Sequence, residues 1–215
     1  RMARAWAHSA PYALTLLAGP PALAALAVWC LPASRSGDVP VWGWLVLVVG
    51  VDVANVWSTL WRTYLDPDEL ARRPALYAAV PVLCWAAGAL LYRAGGAPLF
   101  WRVLAYLAVF HFVRQQWGFL RLYQRFEGRP SRFDDALDRA ALYGGMLYPL
   151  VYWHASLPRP FEWFMPGDFA ALPAALAAPA GALYAALLAG WVLRQAWRAR
   201  RQRLHPGRLL VVAGT

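Results

Sequence analysis

The side chains with the widest chemical reach in this chain sit close together in an apolar setting. They are His111, Arg114 and Gln115, within Val109-Phe110-His111-Phe112-Val113-Arg114-Gln115-Gln116-Trp117-Gly118. An imidazole can serve as acid, base or metal ligand near neutral pH, and a guanidinium offers a planar fork to a carboxylate or phosphate. In hydrocarbon, a charged side chain at mid-depth costs at least ~2.5–3.5 kcal/mol on insertion scales, so Arg114 calls for a cavity, a partner or a ligand. A second polar group precedes it. Asn55, Thr59 and Arg62 follow Asp52 at offsets of 3, 7 and 10, which places the four on one face of an α-helix. Together these residues suggest a site between two helices. His111, Asp52 and Arg114 are the catalytic candidates, with Asp52 orienting the imidazole and Arg114 holding an anionic group, while Asn55, Thr59, Gln115 and Tyr148 are the substrate-contact candidates. The competing reading is structural: Asp52 and Arg114 form an ion pair that fixes helix register, and the amides and His111 satisfy the remaining hydrogen bonds.

Two metal sets are open on sequence. A transition metal would draw on His111, Asp52 and His154, although His154 falls toward the other end of its run, roughly 9 Å away in depth at ~1.5 Å per residue. No HxxxH, HxxHH or HExxH spacing accompanies them. Magnesium would draw on Asp134 and Asp138 of Asp134-Asp135-Ala136-Leu137-Asp138, with Asp66, Asp68 and Glu69 as a second acidic cluster; Mg²⁺ favours a few carboxylates completed by phosphate oxygens. Acids in a first helical turn are also favoured by the helix dipole, and Arg132 and Arg139 offer local ion pairs. GxSxG, Walker A, GxGxxG and CxxC motifs are all absent from the sequence, so serine-hydrolase, nucleotide and thiol-redox chemistry have no motif behind them.

The elements that must position these residues are membrane helices. The 215 residues are 60% hydrophobic and 15% charged with 13 Trp, too apolar for an ordinary soluble domain. Six apolar runs are expected as spans: 12–31, 41–63, 75–92, 99–123, 139–157 and 172–193, giving an all-α polytopic bundle as one transmembrane domain over 1–215. Pro20-Pro21 breaks the first run, which is longer than the ~7–15 residue core of a signal peptide. Asp66-Pro67-Asp68-Glu69 and Ser131-Arg132-Phe133-Asp134 read as helix starts. The Ala- and Gly-rich sixth run suits close packing in lipid, and the aromatics of 158–169 suit the membrane interface. Cys30 and Cys84 lie in apolar runs without CxxC spacing and read as small hydrophobes.

All 21 basic residues are Arg. Sixteen fall on one side of the alternating spans, four on the other (Arg35, Arg93, Arg102 and Arg159), and Arg114 lies within a span. The positive-inside rule then puts the N-terminus and the basic loops in the cytoplasm. Clustering between apolar runs is a topology signal, so nucleic acid is not an expected partner; membrane lipids and a lipid-soluble small molecule are. The chain opens on Arg1 and closes on the apolar run 209–215, which reads as the start of a truncated seventh span in a fragment of a longer protein, whose remainder would be a further partner.

The passage from Asp52 to Arg62, with His111 to Gly118 in the pattern HxxRQxxG, resembles multi-pass bacterial inner-membrane proteins of unassigned function. The resemblance covers the second to fourth spans and implies a bacterial inner-membrane location but no reaction. Such proteins place a second histidine where Asn55 stands here, a departure that weakens a metal site specifically. Three functions follow as expectations: an oxidoreductase or transferase acting on a lipid-soluble substrate, a proton-coupled transporter in which His111 and Asp52 form the gate, or a non-catalytic structural subunit of a membrane complex.

Overall fold

The computed structural model describes residues 9–30, 41–127, 130–159, 162–201 and 204–215, which are all helices and connecting turns with no strand among them. The helices are α1 (Ala10–Leu17), α2 (Gly19–Cys30), α3 (Val41–Trp44), a π-helical stretch (Leu45–Val53), α4 (Ala54–Arg62), α5 (Pro67–Arg72), α6 (Pro74–Glu127), α7 (Arg132–Ala155), a 3₁₀ turn (Ala174–Leu176), α8 (Ala177–Ala199) and α9 (Pro206–Ala213). Among the described residues two helical segments, Pro74–Arg125 and Ala174–Ala199, are long and apolar enough to cross a membrane. Contacts gather the chain into two units, residues 24–100 and residues 1–23 with 101–215.

In the first of these units, α5 and the start of α6 are tied locally. Asp66 caps α5 by accepting from the backbone N–H groups of Asp68 (3.0 Å) and Glu69 (3.2 Å), as the Asp-Pro-Asp-Glu signature implies. The helix so started ends at Arg72, however, and does not run into the third apolar run. Pro74 disfavours helical geometry at the residue before it, and Arg73 sits at φ −143°, ψ 54°. Tyr77 then donates to Glu69 Oε1 (2.9 Å), and Tyr64 donates to the Tyr77 carbonyl (3.0 Å).

The π-helical stretch closes its hydrogen bonds i→i+5 rather than i→i+4, and regular α-helix resumes at Ala54. Thr59 and Arg62, both in α4, share one face.

At ~1.5 Å per residue, the 52-residue apolar segment within α6 would be more than twice as long as the ~30 Å hydrocarbon core, at about 78 Å. Gly96 divides it. With φ 66° and ψ −164°, Gly96 leaves helical geometry in a region that residues with a Cβ rarely adopt. The helix thus falls into segments 74–95 and 97–127, near the division expected between the third and fourth runs. In the first segment Val82, Leu83, Trp85 and Leu90 are each more than 60% exposed, an apolar surface that water would penalise and lipid would not.

The second unit has a packed core of Leu120, Tyr123, Ala141, Leu142, Trp191 and Val211 with their neighbours. Its closest seam joins α7 to α8, where aromatic rings sit on glycines of the facing helix. A Cβ on Gly144 would meet the Tyr184 ring at 3.0 Å, and one on Gly181 would meet the Tyr148 hydroxyl at 3.1 Å. Tyr148 and Tyr184 stack at 5.3 Å, so small residues let the helices approach and the rings fill the seam. The final apolar run is α9, and it folds into this core: Arg208, Val211 and Val212 are buried, and Gly207 is pressed against the Tyr123 ring.

Candidate functional site

The polar residues of the second unit fall into two sets that differ in whether their hydrogen-bonding groups are satisfied inside the fold. The satisfied set is built on the DDxxD segment. Ser131 caps α7 by accepting from the Asp134 N–H (3.1 Å), and the helix carries Asp134, Asp135 and Asp138 toward three different groups of arginines. Arg194 grips Asp134 with two bonds, Nε to Oδ1 (2.7 Å) and Nη2 to Oδ2 (3.3 Å). Asp135 receives Arg121 (2.8 Å) and Arg139 (3.3 Å). Asp138, fully buried, receives Arg208 Nη1 at Oδ2 (2.7 Å), the Trp191 indole N–H at Oδ1 (2.9 Å) and the Gln124 amide (3.3 Å).

Arg208 is itself fully buried and donates its other Nη to Gln195 Oε1 (2.9 Å). A buried pair of this kind depends on added hydrogen bonds to both ions, and here Trp191 and Gln124 complete Asp138 while Gln195 takes one N–H of Arg208. The network fastens α7, α8 and α9 to the end of the 97–127 segment. As magnesium ligands, Asp134 and Asp138 are poorly placed: their oxygens accept from guanidinium groups and point to separate partners. Among the described residues no three His, Cys, Asp or Glu side chains converge in a way that could hold a metal ion.

The bidentate contact from Arg194 holds the Asp134 carboxyl below the usual carboxylate range; burial opposes the shift, and the Ser131 hydroxyl adds to it. Arg194 also lies over the Trp197 ring at 4.3 Å, with Arg201 on the same ring at 4.5 Å, so this end of α8 is fixed by cation–π contacts as well as by charge.

His154 belongs to the satisfied set too. Its Nδ1 lies 2.6 Å from the Leu150 carbonyl, and its Nε2 lies 2.9 Å from the Tyr106 hydroxyl. Because a carbonyl can only accept, Nδ1 donates to Leu150, while Nε2 is paired with the Tyr106 hydroxyl, which accepts in turn from the Ala170 N–H (3.3 Å). Phe169 packs edge-on against the imidazole at 4.8 Å. Asp168 organises the loop before it, its Oδ2 accepting from the N–H groups of Trp163 (2.9 Å), Phe164 (2.6 Å) and Met165 (3.3 Å). Trp163 then stacks on Phe112 at 5.9 Å. Both ring nitrogens of His154 are thus engaged, and a metal would have to displace one of these bonds.

The unsatisfied set lies on the 97–127 segment. His111, Arg114 and Gly118 are exposed and Gln115 is half-buried. Their spacing of 3, 4 and 7 from His111 holds in the structure because the segment is regular helix there. Among the described residues no carboxylate pairs with Arg114, and neither Gln115 nor His111 has a hydrogen-bond partner. The stripe continues to Arg121 and Arg125, and a notch of about 470 Å³ opens beside Gln115, Gly118, Arg121 and Arg125.

Asp52, Asn55 and Thr59 belong to the other unit, so their relation to His111 rests on the sequence alone. The side chains of Asp52 and Asn55 lie outside the described residues; Thr59 is exposed. Tyr148 is placed in the seam between α7 and α8, stacked on Tyr184, and not on the His111 stripe. The residues that sequence reasoning missed are Gln124, Trp191, Gln195 and Arg208. A signal was present, since Trp191, Gln195 and Arg198 recur at helical spacing along an otherwise Ala-rich run.

No protein-family model, no characterised protein and no solved structure matches this chain.

Replacing Asp138 by Asn leaves Arg208 buried without its counter-ion, and breaking such a pair costs about 3–5 kcal/mol. Denaturant unfolding of the detergent-solubilised protein should show that loss, and Asp138→Leu combined with Arg208→Met should recover most of it. The Asp134 contribution has a defined sign. Because the folded carboxyl titrates below its unfolded value of about 3.9, its stabilisation is complete above that pH and disappears as pH falls through the folded value. The melting-temperature gap between the wild type and Asp134→Asn should therefore be widest near neutral pH and close on acidification.

Proposed function

We propose that this chain is a multi-pass helical protein of the bacterial inner membrane and an enzyme acting on a lipid-soluble substrate. In this reading His111 is the acid–base group, and Arg114 and Gln115 hold an anionic or carbonyl group. The observation that carries it is the contrast between the two polar sets. Every carboxylate of the DDxxD segment and both nitrogens of His154 are occupied within the fold, whereas His111, Arg114 and Gln115 form an exposed or half-exposed stripe without hydrogen-bond or ion-pair partners among the described residues. A permanently charged guanidinium left open on an apolar helix is costly, and in membrane helices such residues serve substrate or proton paths.

The six-span arrangement belongs to the same proposal. It is supported by the break at Gly96 inside α6, by the length and apolarity of Ala174–Ala199, and by the uneven distribution of Arg between alternate loops. The N-terminus then lies in the cytoplasm, and the stripe descends from mid-membrane at His111 toward the cytoplasmic face. An imidazole at that depth exchanges a proton with a substrate group held beside it, and Arg114, one turn below, stabilises negative charge that develops there.

His111→Ala should abolish product formation by purified protein in detergent, where no gradient exists, while leaving thermal stability within about 0.5 kcal/mol because the side chain is exposed. If His111→Ala instead removes substrate-dependent proton flux into sealed vesicles, with no product formed in detergent, the protein is a transporter. If it alters assembly alone, the structural-subunit reading holds.

A further inference from the structure

We infer that the lower part of the same stripe is a binding site for the phosphate-bearing headgroup of an anionic lipid, centred on Arg121 and Arg125 with the notch at Gly118. The proposal rests on the reading of 97–127 as a membrane helix and specifies the class of lipid that this face recognises.

Gln115, Gly118, Arg121 and Arg125 follow one another at offsets of 3, 6 and 10, one side of a single helix. Arg121 is pre-oriented. Its Nη1 donates to Gln124 Oε1 (2.9 Å) and to Asp135 Oδ1 (2.8 Å), and its guanidinium lies over the Trp117 ring at 5.2 Å, with Arg139 over the same ring at 4.8 Å. Nη2 and Nε have no partner among the described residues, so a fixed pair of donors remains for an incoming oxygen. A guanidinium presented in this way matches two oxygens of a phosphate, and holding it in place beforehand removes ordering cost on binding.

Arg125, one turn further on, is exposed and makes no ion pair among the described residues. Asp135 answers Arg121 and Arg139 together, which leaves the charge of Arg125 available to a ligand. Gly118 supplies the space: a Cβ there would have no atom within 4 Å. Phe119 and Leu122 border the notch and are exposed, at 38% and 36%, giving apolar surface for acyl chains directly beside the basic groups. In the proposed topology this end of the helix reaches the cytoplasmic interface, where anionic phospholipids concentrate and each nearby basic residue contributes about fivefold in affinity.

The test uses the full chain in phosphatidylcholine vesicles and compares the protein association of spin-labelled phosphatidylglycerol with that of spin-labelled phosphatidylcholine. Wild type should prefer phosphatidylglycerol, and Arg125→Gln should lower the preference about fivefold. Gly118→Leu fills the notch without changing charge and should lower it at least as far; circular dichroism establishes that both variants are folded. The proposal is overturned if Gly118→Leu keeps the wild-type preference, since surface charge alone would then hold the lipid. It is also overturned if millimolar inorganic phosphate displaces the lipid, which would make a soluble anion the ligand. His111→Ala, ~10 Å from Gly118 along the axis, should retain the preference even where it abolishes turnover, so the headgroup site and the catalytic reading fail separately.

Discussion

The ion pair between Asp138 and Arg208 is the interaction on which the rest of the second unit depends. Both side chains are fully buried, and taking two charges out of water costs several kcal/mol per ion before any attraction is counted. The pair survives because its surroundings are polar in the right places. Trp191 from α8 and Gln124 from the 97–127 segment complete Asp138, and Gln195 from α8 completes part of Arg208. Each of these bonds has a distance and an angle to satisfy, so together they set the register of four helical segments at one end of the unit. Hydrophobic packing in lipid is weakly directional between helices; this network supplies the direction.

One consequence reaches the candidate site. With its inner face committed to Leu120, Tyr123 and Gln124, the 97–127 segment has a fixed rotation about its axis, and the opposite face carries His111, Arg114, Gly118 and Arg125 outward. The same helix therefore contributes one polar residue to the fold and several to the surface. Arg121 stands at the border: one of its nitrogens is committed to Gln124 and Asp135, and its remaining donors belong to the outward face. Buried and exposed polarity are thus separated by about half a turn of helix.

Much of the local structure was legible in the amino-acid order because it depends on neighbours in sequence. Ser131 and Asp66 cap helices by bonds to residues two or three positions on, and the division of α6 at Gly96 follows from glycine's access to positive φ. The Gly and Ala content of the sixth run suits a close helix seam, and Tyr148 fills one over Gly181. What was not legible is long-range. Asp138 was visible as part of a DDxxD pattern, yet its partner Arg208 lies 70 residues away, just before an apolar run whose composition resembles the start of another span. His154 was a reasonable metal candidate until the Leu150 carbonyl and the Tyr106 hydroxyl occupied its ring. The π-helical stretch before Ala54 likewise leaves no clear mark in Leu45-Val46-Leu47-Val48-Val49-Gly50-Val51.

The division between buried and open arginines can be measured directly by footprinting the folded protein with an arginine-selective dicarbonyl reagent and mapping the modified peptides by mass spectrometry. Arg125 should be modified readily, whereas Arg208 should stay unreacted until the protein is unfolded. Modification of Arg208 in the folded protein at the rate seen for Arg125 would contradict the account, because the network that orients the His111 helix would then not be closed.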